Sequence, residues 1–206
     1  MESKLFTPVT FGPLTLRNRT IRSAAFESMC PGNAPSDMLL DYHRSVAAGG
    51  IGMTTVAYAA VTQSGLSFDR QLWMRPEIIP GLRRLTDAIH AEGAAAGIQL
   101  GHCGNMSHKS ICGCMPVGAS SGFNLYSPTF VRGLRADELP EMARAYGRSV
   151  NLAREAGFDS VEIHAGHGYL ISQFLSPSTN HRKDEFGGSL QNRMRFMDMV
   201  MEEVMK

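Results

Sequence analysis

The stretch DELPEMARAYGRSVNLAREAGFDSVEIHAGHGY, from Asp137 to Tyr169, decides the reading of the fold. Leu139, Met142, Ala143, Tyr146, Val150 and Ala153 recur at three- and four-residue spacing, which predicts a helix over Asp137 to Ala156 with one apolar face. Gly157 stops it, and Ser160 to His164 follows as a short β-rich strand. Helix, glycine stop and apolar strand, in that order, belong to a chain that alternates β and α elements.

The same order repeats on the N-terminal side. Ala95 to Leu100 predicts a strand, preceded by a helix over Gly81 to Glu92 with Leu82, Leu85 and Ile89 on one face and Gly93 as its stop. Met53 to Ala60 predicts another strand. Before it, Asp37 is placed to cap a helix over Leu39 to Ala48 that Gly49 and Gly50 end, and Thr20 to Phe26 predicts the first strand. Downstream, a last helix starts at about Leu190 and runs towards Lys206 without a glycine stop, so the chain reads as cut rather than finished.

These elements make four βα units of an α/β protein with a parallel sheet. Four units build half of a (β/α)8 TIM barrel, which takes roughly 250 residues when complete. No repeat, low-complexity tract or linker divides the chain, so residues 1–206 read as one unit, the N-terminal half of an incomplete barrel. A half barrel leaves two raw sheet edges and an apolar interior, which calls for a second half-barrel chain or self-association.

Composition excludes some partners. Twenty basic side chains against nineteen acidic ones leave a formal charge of +1, with no Lys/Arg block to recruit nucleic acid or an anionic membrane. Met1 to Gly12 carries no leader pattern, and the most apolar window, Gly50 to Val61, is too short to span a bilayer. Four cysteines are too few for a disulfide framework, which points to reduced thiols and a cytoplasmic location.

The chemistry-bearing residues cluster directly after the run Val161 to Ile163, in His164-Ala-Gly-His167-Gly-Tyr169. Catalytic side chains of a parallel barrel sit at the C-terminal ends of its strands. Two imidazoles three residues apart can converge on one oxygen and donate to charge that develops there, and Tyr169 can deliver a proton. The spacing alone is equally that of two partnered polar residues at a strand end. A metal reading lacks a third ligand beside the pair. The segment from Gly101 to Gly133, rich in Gly, Ser, Cys and Pro, is too long for a connector. Its His102, Cys103, His108, Cys112 and Cys114 put five soft-ligand side chains within thirteen positions, in a spacing that fits no common zinc or iron-sulfur scheme.

The string EIHAGHGYLISQFLSPSTNHRKDEFGGSLQNRMRF, Glu162 to Phe196, resembles the active-site signature of the old yellow enzyme and 2,4-dienoyl-CoA reductase group. Leu5-Phe6-Thr7-Pro8 with Leu16-Arg17-Asn18-Arg19 resembles the family's opening, and Gly97-Ile98-Gln99-Leu100-Gly101-His102 its third strand. The resemblance implies an ene-reductase-type enzyme that binds FMN, takes hydride from NADH or NADPH and passes it to a small electron-poor alkene such as an enone or enoyl thioester. It implies that Gln99 bonds the flavin's pyrimidine edge and that Ala25 and Ala60, each near a strand end, lie against the isoalloxazine. It assigns His164 and His167 to the substrate's carbonyl oxygen and Tyr169 to proton donation.

Two positions depart from the family pattern. Ala24-Ala25-Phe26 lacks the thiol or hydroxyl that many relatives place against the flavin, leaving Ser28 or Cys30 as a shifted substitute, and Asn105 stands where relatives often have arginine. In such barrels the loops after strands seven and eight grip the cofactor phosphate, which puts that site beyond Lys206. The alternative expectation is therefore a catalytically silent truncated half-barrel or assembly subunit.

Overall fold

The computed structural model describes residues 3–206; Met1 and Glu2, the start of the segment read for a leader, lie outside them. A hairpin comes first, β1 (Val9–Phe11) paired antiparallel with β2 (Leu14–Leu16). Then follow β3 (Ile21–Arg22), α1 (Asp37–Ala48), β4 (Met53–Ala60), α2 (Ile79–Ala91), β5 (Ala95–Gly101) and α3 (Lys109–Cys112). After these come β6 (Val117–Gly118), β7 (Gly122–Asn124), β8 (Thr129–Gly133), α4 (Leu139–Glu155), β9 (Ser160–Ile163), α5 (Leu170–Leu175) and α6 (Leu190–Val204).

Four strands form one sheet in the order β3-β4-β5-β9. β3 and β4 are parallel, with Ile21 opposite Met53. Along β5 the backbone bonds advance in step on both sides: Ala95 N–H to Gly52 O and Val61 N–H to Gly101 O, then Asp159 N–H to Ala96 O and His164 N–H to Leu100 O. Those neighbours therefore run parallel as well. β4 is buried from Thr54 onward, as a central strand covered on both faces must be. β9 lies at an edge, with Val161 and Ile163 half-buried and Glu162 exposed. The sheet is open, so the described residues form an α/β sheet of barrel type but close no barrel.

The chain packs as two units. The first comprises Met1–Ala59, Arg70–Gln99 and Asn151–Glu162. In it α1 rests on α2, with Leu39, Leu82, Leu85 and Ile89 fully buried. Arg17 of the opening motif donates to Ala47 O and Glu92 O, at the C-terminal ends of α1 and α2, and to Ile51 O, at 2.5, 2.7 and 2.9 Å. The second unit comprises Ala60–Asp69, Leu100–Val150 and Ile163–Lys206, the segments that follow β4, β5 and β9. Its core includes Tyr146 and the ring pair Phe174 and Phe196, centroids 4.6 Å apart, which joins α5 to α6.

Several boundaries differ from the sequence expectations for physical reasons. The first strand shrinks from Thr20–Phe26 to Ile21–Arg22 because side chains replace the ladder: Glu27 Oε2 accepts from Ala57 N–H at 3.3 Å, and Arg22, paired with Glu27, donates to Thr55 O. The cap of α1 is Ser36 rather than Asp37, since the Ser36 hydroxyl accepts from Leu39 N–H, the third of the helix, at 3.2 Å. α2 starts at Ile79, with Pro80 in the first turn, where its missing N–H costs nothing. Gly157 does end α4, at φ 88°. The segment from Gly101 to Gly133, expected to be a loop, contains α3 and a small sheet in which β8 pairs parallel with β6 and antiparallel with β7.

Candidate active site

β9 hands the chain to His164, whose N–H still completes the ladder through Leu100 O at 2.8 Å. The next residues turn back on themselves: Gly166 N–H donates to His164 Nδ1 at 3.2 Å and Tyr169 N–H to Gly166 O at 3.0 Å. His164 and His167 are brought into direct contact, Nε2 to Nδ1, at 2.9 Å. These bonds fix the tautomers. Because His164 Nδ1 accepts, its Nε2 carries the hydrogen and donates to His167 Nδ1, which leaves the hydrogen of His167 on Nε2. A single oxygen receiving both imidazoles would have to replace the bond between them.

Tyr169 stacks on His164 with ring centroids 4.7 Å apart, so the three residues named from sequence form one cluster. Burial raises the Tyr169 phenol above its ordinary range, the Ser67 hydroxyl partly opposing this, so the phenol keeps its proton across neutral pH. His167 itself sits at φ 54°, followed by Gly168 at φ 69°. For a non-glycine residue that conformation costs roughly 1–2 kcal/mol. Strain of this kind persists only where surrounding contacts enforce it.

Gln173 supplies those contacts. It is buried in α5, and its Nε2 lies 2.6 Å from Gly168 O, 2.9 Å from Asn105 Oδ1 and 3.3 Å from Cys103 O, while its Oε1 accepts from Asn105 N–H at 3.3 Å. One amide thus ties the loop after β5 to the loop after β9. Gly104, at φ 63°, lets the backbone pass, since a Cβ there would overlap the Gln173 amide. The sequence signal for Gln173 is a polar residue inside the apolar run Leu170 to Leu175.

A cavity of about 560 Å3 borders the cluster, lined by His167, Gly168, Asn105, Phe123, Tyr126 and His181 among others. The β7–β8 hairpin supplies its aromatic side, with Phe123 packed edge-on against Phe130 at 5.2 Å. Other residues of the signature are structural. Asn180 donates to Phe174 O and Phe186 O, and Arg182, ion-paired with Asp184, donates to Ala119 O and Leu134 O.

The remaining candidates fall elsewhere. Ala60 ends β4, buried, in the same unit as the histidines, while Ala25 and Gln99 belong to the first unit. Ala25 is exposed; Gln99 is half-buried on β5 and its Nε2 donates to Glu162 Oε1 on β9. Of the two substitutes for the missing flavin-facing group, Ser28 is exposed at φ 53°, and Cys30 is buried, its thiol pushed up to about 12 by burial and by Glu27. Three of the five soft-ligand residues disperse into separate contacts, His102 with Ser64 and Gly104 N–H, Cys103 with Leu66 O and His108 with Ser127, while Cys112 and Cys114 lie side by side. Among the described residues no group of three or more His, Cys, Asp or Glu could hold a metal ion. Among them, too, no helix is long and apolar enough to cross a membrane.

The paired-histidine cluster follows the C-terminal end of a parallel strand and packs in one unit with the segments that follow β4 and β5, which is where barrel enzymes carry their catalytic side chains. The chain belongs to the NADH:flavin oxidoreductase / NADH oxidase family, whose sequence model matches residues 4–206, and corresponds to the N-terminal half of its old yellow enzyme homologues. The family uses FMN with NADH or NADPH. The chain is 42% identical over 200 residues to the 4,4'-dithiodibutanoate disulfide reductase of Rhodococcus erythropolis, covering 97% of itself and 50% of that protein. It is 37% identical over 209 residues to the NADPH dehydrogenase of Bacillus subtilis (strain 168), covering 99% of itself and 60% of that protein. The solved old yellow enzyme homologue from Zymomonas mobilis superposes with a TM-score of 0.91 at 30% identity, over 98% of this chain and 60% of the other. The chain therefore spans between half and three fifths of the length of these relatives.

Proposed function

We propose that this chain forms the substrate-facing half of an FMN-dependent NAD(P)H oxidoreductase of ene-reductase type, acting on a small electron-poor alkene such as an enone or enoyl thioester. The observation that carries the reading is the bonded His164/His167 pair stacked on Tyr169 at the edge of a cavity. Two of the three residues assigned to the ring, Gln99 and Ala25, are compatible with a flavin, whereas Ala60 is buried. Gln99 offers an amide that both donates and accepts, as the pyrimidine edge requires, and Ala25 is exposed with nothing beyond its Cβ to obstruct a flat ring. When bound, FMN supplies hydride taken from NADH or NADPH.

The histidines act in series. Gly166 N–H holds His164, His164 Nε2–H polarises His167, and His167 Nε2–H donates to the acceptor's carbonyl oxygen as charge builds there. Tyr169, held protonated by its burial, gives its proton to the carbon that does not receive hydride. The open β9 edge supports completion by the rest of a barrel, from a second chain or from further sequence.

A second acceptor class, a small disulfide, is kept because the relative from Rhodococcus erythropolis is named for one. The test is to complete the barrel, load FMN and follow both half-reactions by stopped flow with an enone and with 4,4'-dithiodibutanoate. Reoxidation of reduced flavin by the enone is expected. A completed barrel that binds no flavin sinks the proposal and favours the catalytically silent alternative; reoxidation by the disulfide alone selects the second class.

A further inference from the structure

We propose that Cys112-Gly113-Cys114 is a redox-active dithiol that exchanges with small-molecule disulfides and closes an intrachain disulfide. Cys112 is buried at the last position of α3 and Cys114 is exposed, with their sulfurs 3.9 Å apart. Gly113 between them takes φ 75° and ψ −4°. That bend matters: an extended tripeptide holds its outer Cα atoms roughly 6.6–7.2 Å apart, at or beyond the 4.4–6.8 Å that a disulfide usually spans. The bend folds the two cysteines towards one another, and glycine adopts it without penalty. A side chain with a Cβ would resist it.

The two sulfurs differ in access as an attacking and a resolving thiol do. Cys114 lines a cavity of about 580 Å3 with Thr62, Ser64, Met115 and Arg132, which admits a small disulfide, whereas Cys112 stays beneath it with its sulfur 3.2 Å from Cys114 O. Exchange then proceeds in two balanced steps. The Cys114 thiolate attacks one sulfur of the disulfide, forming a mixed disulfide and releasing one thiolate, which takes up a proton. Cys112 gives up its proton and attacks Cys114 Sγ, the mixed disulfide breaks, and the second thiol leaves. Two electrons pass from the dithiol to the added disulfide. Burial and the Cys112 sulfur hold the Cys114 thiol above its ordinary range, so exchange quickens as pH rises towards it.

The buried thiols Cys30 and Cys103 serve as internal controls. The reduced full chain is incubated with oxidised glutathione, alkylated in denaturant and mapped by mass spectrometry. A Cys112–Cys114 disulfide is expected, reversed by dithiothreitol, with Cys30 and Cys103 alkylated. Cys112→Ser should stop at one glutathione on Cys114, and Cys112→Ala repeats the test if the serine variant does not fold. The proposal fails if both sulfurs of the unsubstituted chain end up alkylated. It fails equally if glutathione persists on Cys114 while Cys112 is intact, since the buried thiol is then no resolving group.

Discussion

Replacing Gln173 by alanine should cost this chain more stability than the loss of almost any other single polar side chain. The amide makes two short donor bonds, to Gly168 O and Asn105 Oδ1, and accepts from Asn105 N–H. A hydrogen bond contributes about 1 kcal/mol net, and a buried partner left unsatisfied costs about 1–3 kcal/mol. Gly168 and Asn105 are partly solvated, so the lower end applies and the sum is about 3 kcal/mol. At about 2–4 °C per kcal/mol for a chain of this size, the melting temperature should fall by roughly 6–12 °C. Gly104→Ala strains a left-handed position and overlaps the same amide. In Gly104→Ala/Gln173→Ala the overlap is gone and only the backbone strain stays, so the double variant should be more stable than the sum of the singles by about 1 kcal/mol. Urea melts of the four proteins give the cycle. A Gln173→Ala loss below about 0.5 kcal/mol, or strict additivity, refutes the idea that this amide fixes the two loops.

Other outcomes can be checked separately. In a completed, FMN-loaded barrel, His167→Ala should slow alkene reduction by roughly 10²- to 10³-fold in stopped flow while flavin reduction by NAD(P)H changes little. Tyr169→Phe, which keeps the stacked ring but not the proton, should slow the same half-reaction. His102 is fully buried, with burial pulling its pKa from 6.5 to about 3; its neutral form accepts from Gly104 N–H. The unfolded chain therefore binds a proton that the fold refuses, so the stability from this group is complete above about pH 6.5. It falls as pH drops towards 3, by up to about 1.4 kcal/mol per pH unit. Urea midpoints should show that slope, and His102→Gln should flatten it. Ser36→Ala should cost about 1 kcal/mol in the same assay by removing the α1 cap.

The elements legible in the sequence are those with enough length to show a period. β4 matches its expected bounds because eight apolar or β-branched residues leave no other register, and α4 follows from its apolar stripe. β6, β7 and β8 were not legible, since strands of two to five residues set among Gly, Ser and Pro carry too few alternations to count. At the candidate site the motif placed His164, His167 and Tyr169 together. That the imidazoles bond one another depends on a backbone N–H at Gly166 and a left-handed turn at His167, neither of which a residue type announces. The role of Gln173 is not legible in the sequence, because an amide within a short apolar helix reads as an interruption and the two loops it joins are far apart in the chain.

The carboxylate on β9 bears on what the exposed sheet edge can pair with. Val161 and Ile163 leave an apolar margin, and between them Glu162, exposed and held by the Gln99 amide, sets a negative charge on the outermost strand. A stray strand docking there must strip water from that charge, whereas a strand that brings its own donor gains by meeting it. A charge set in the middle of the outermost strand thus makes indiscriminate edge-to-edge pairing costly.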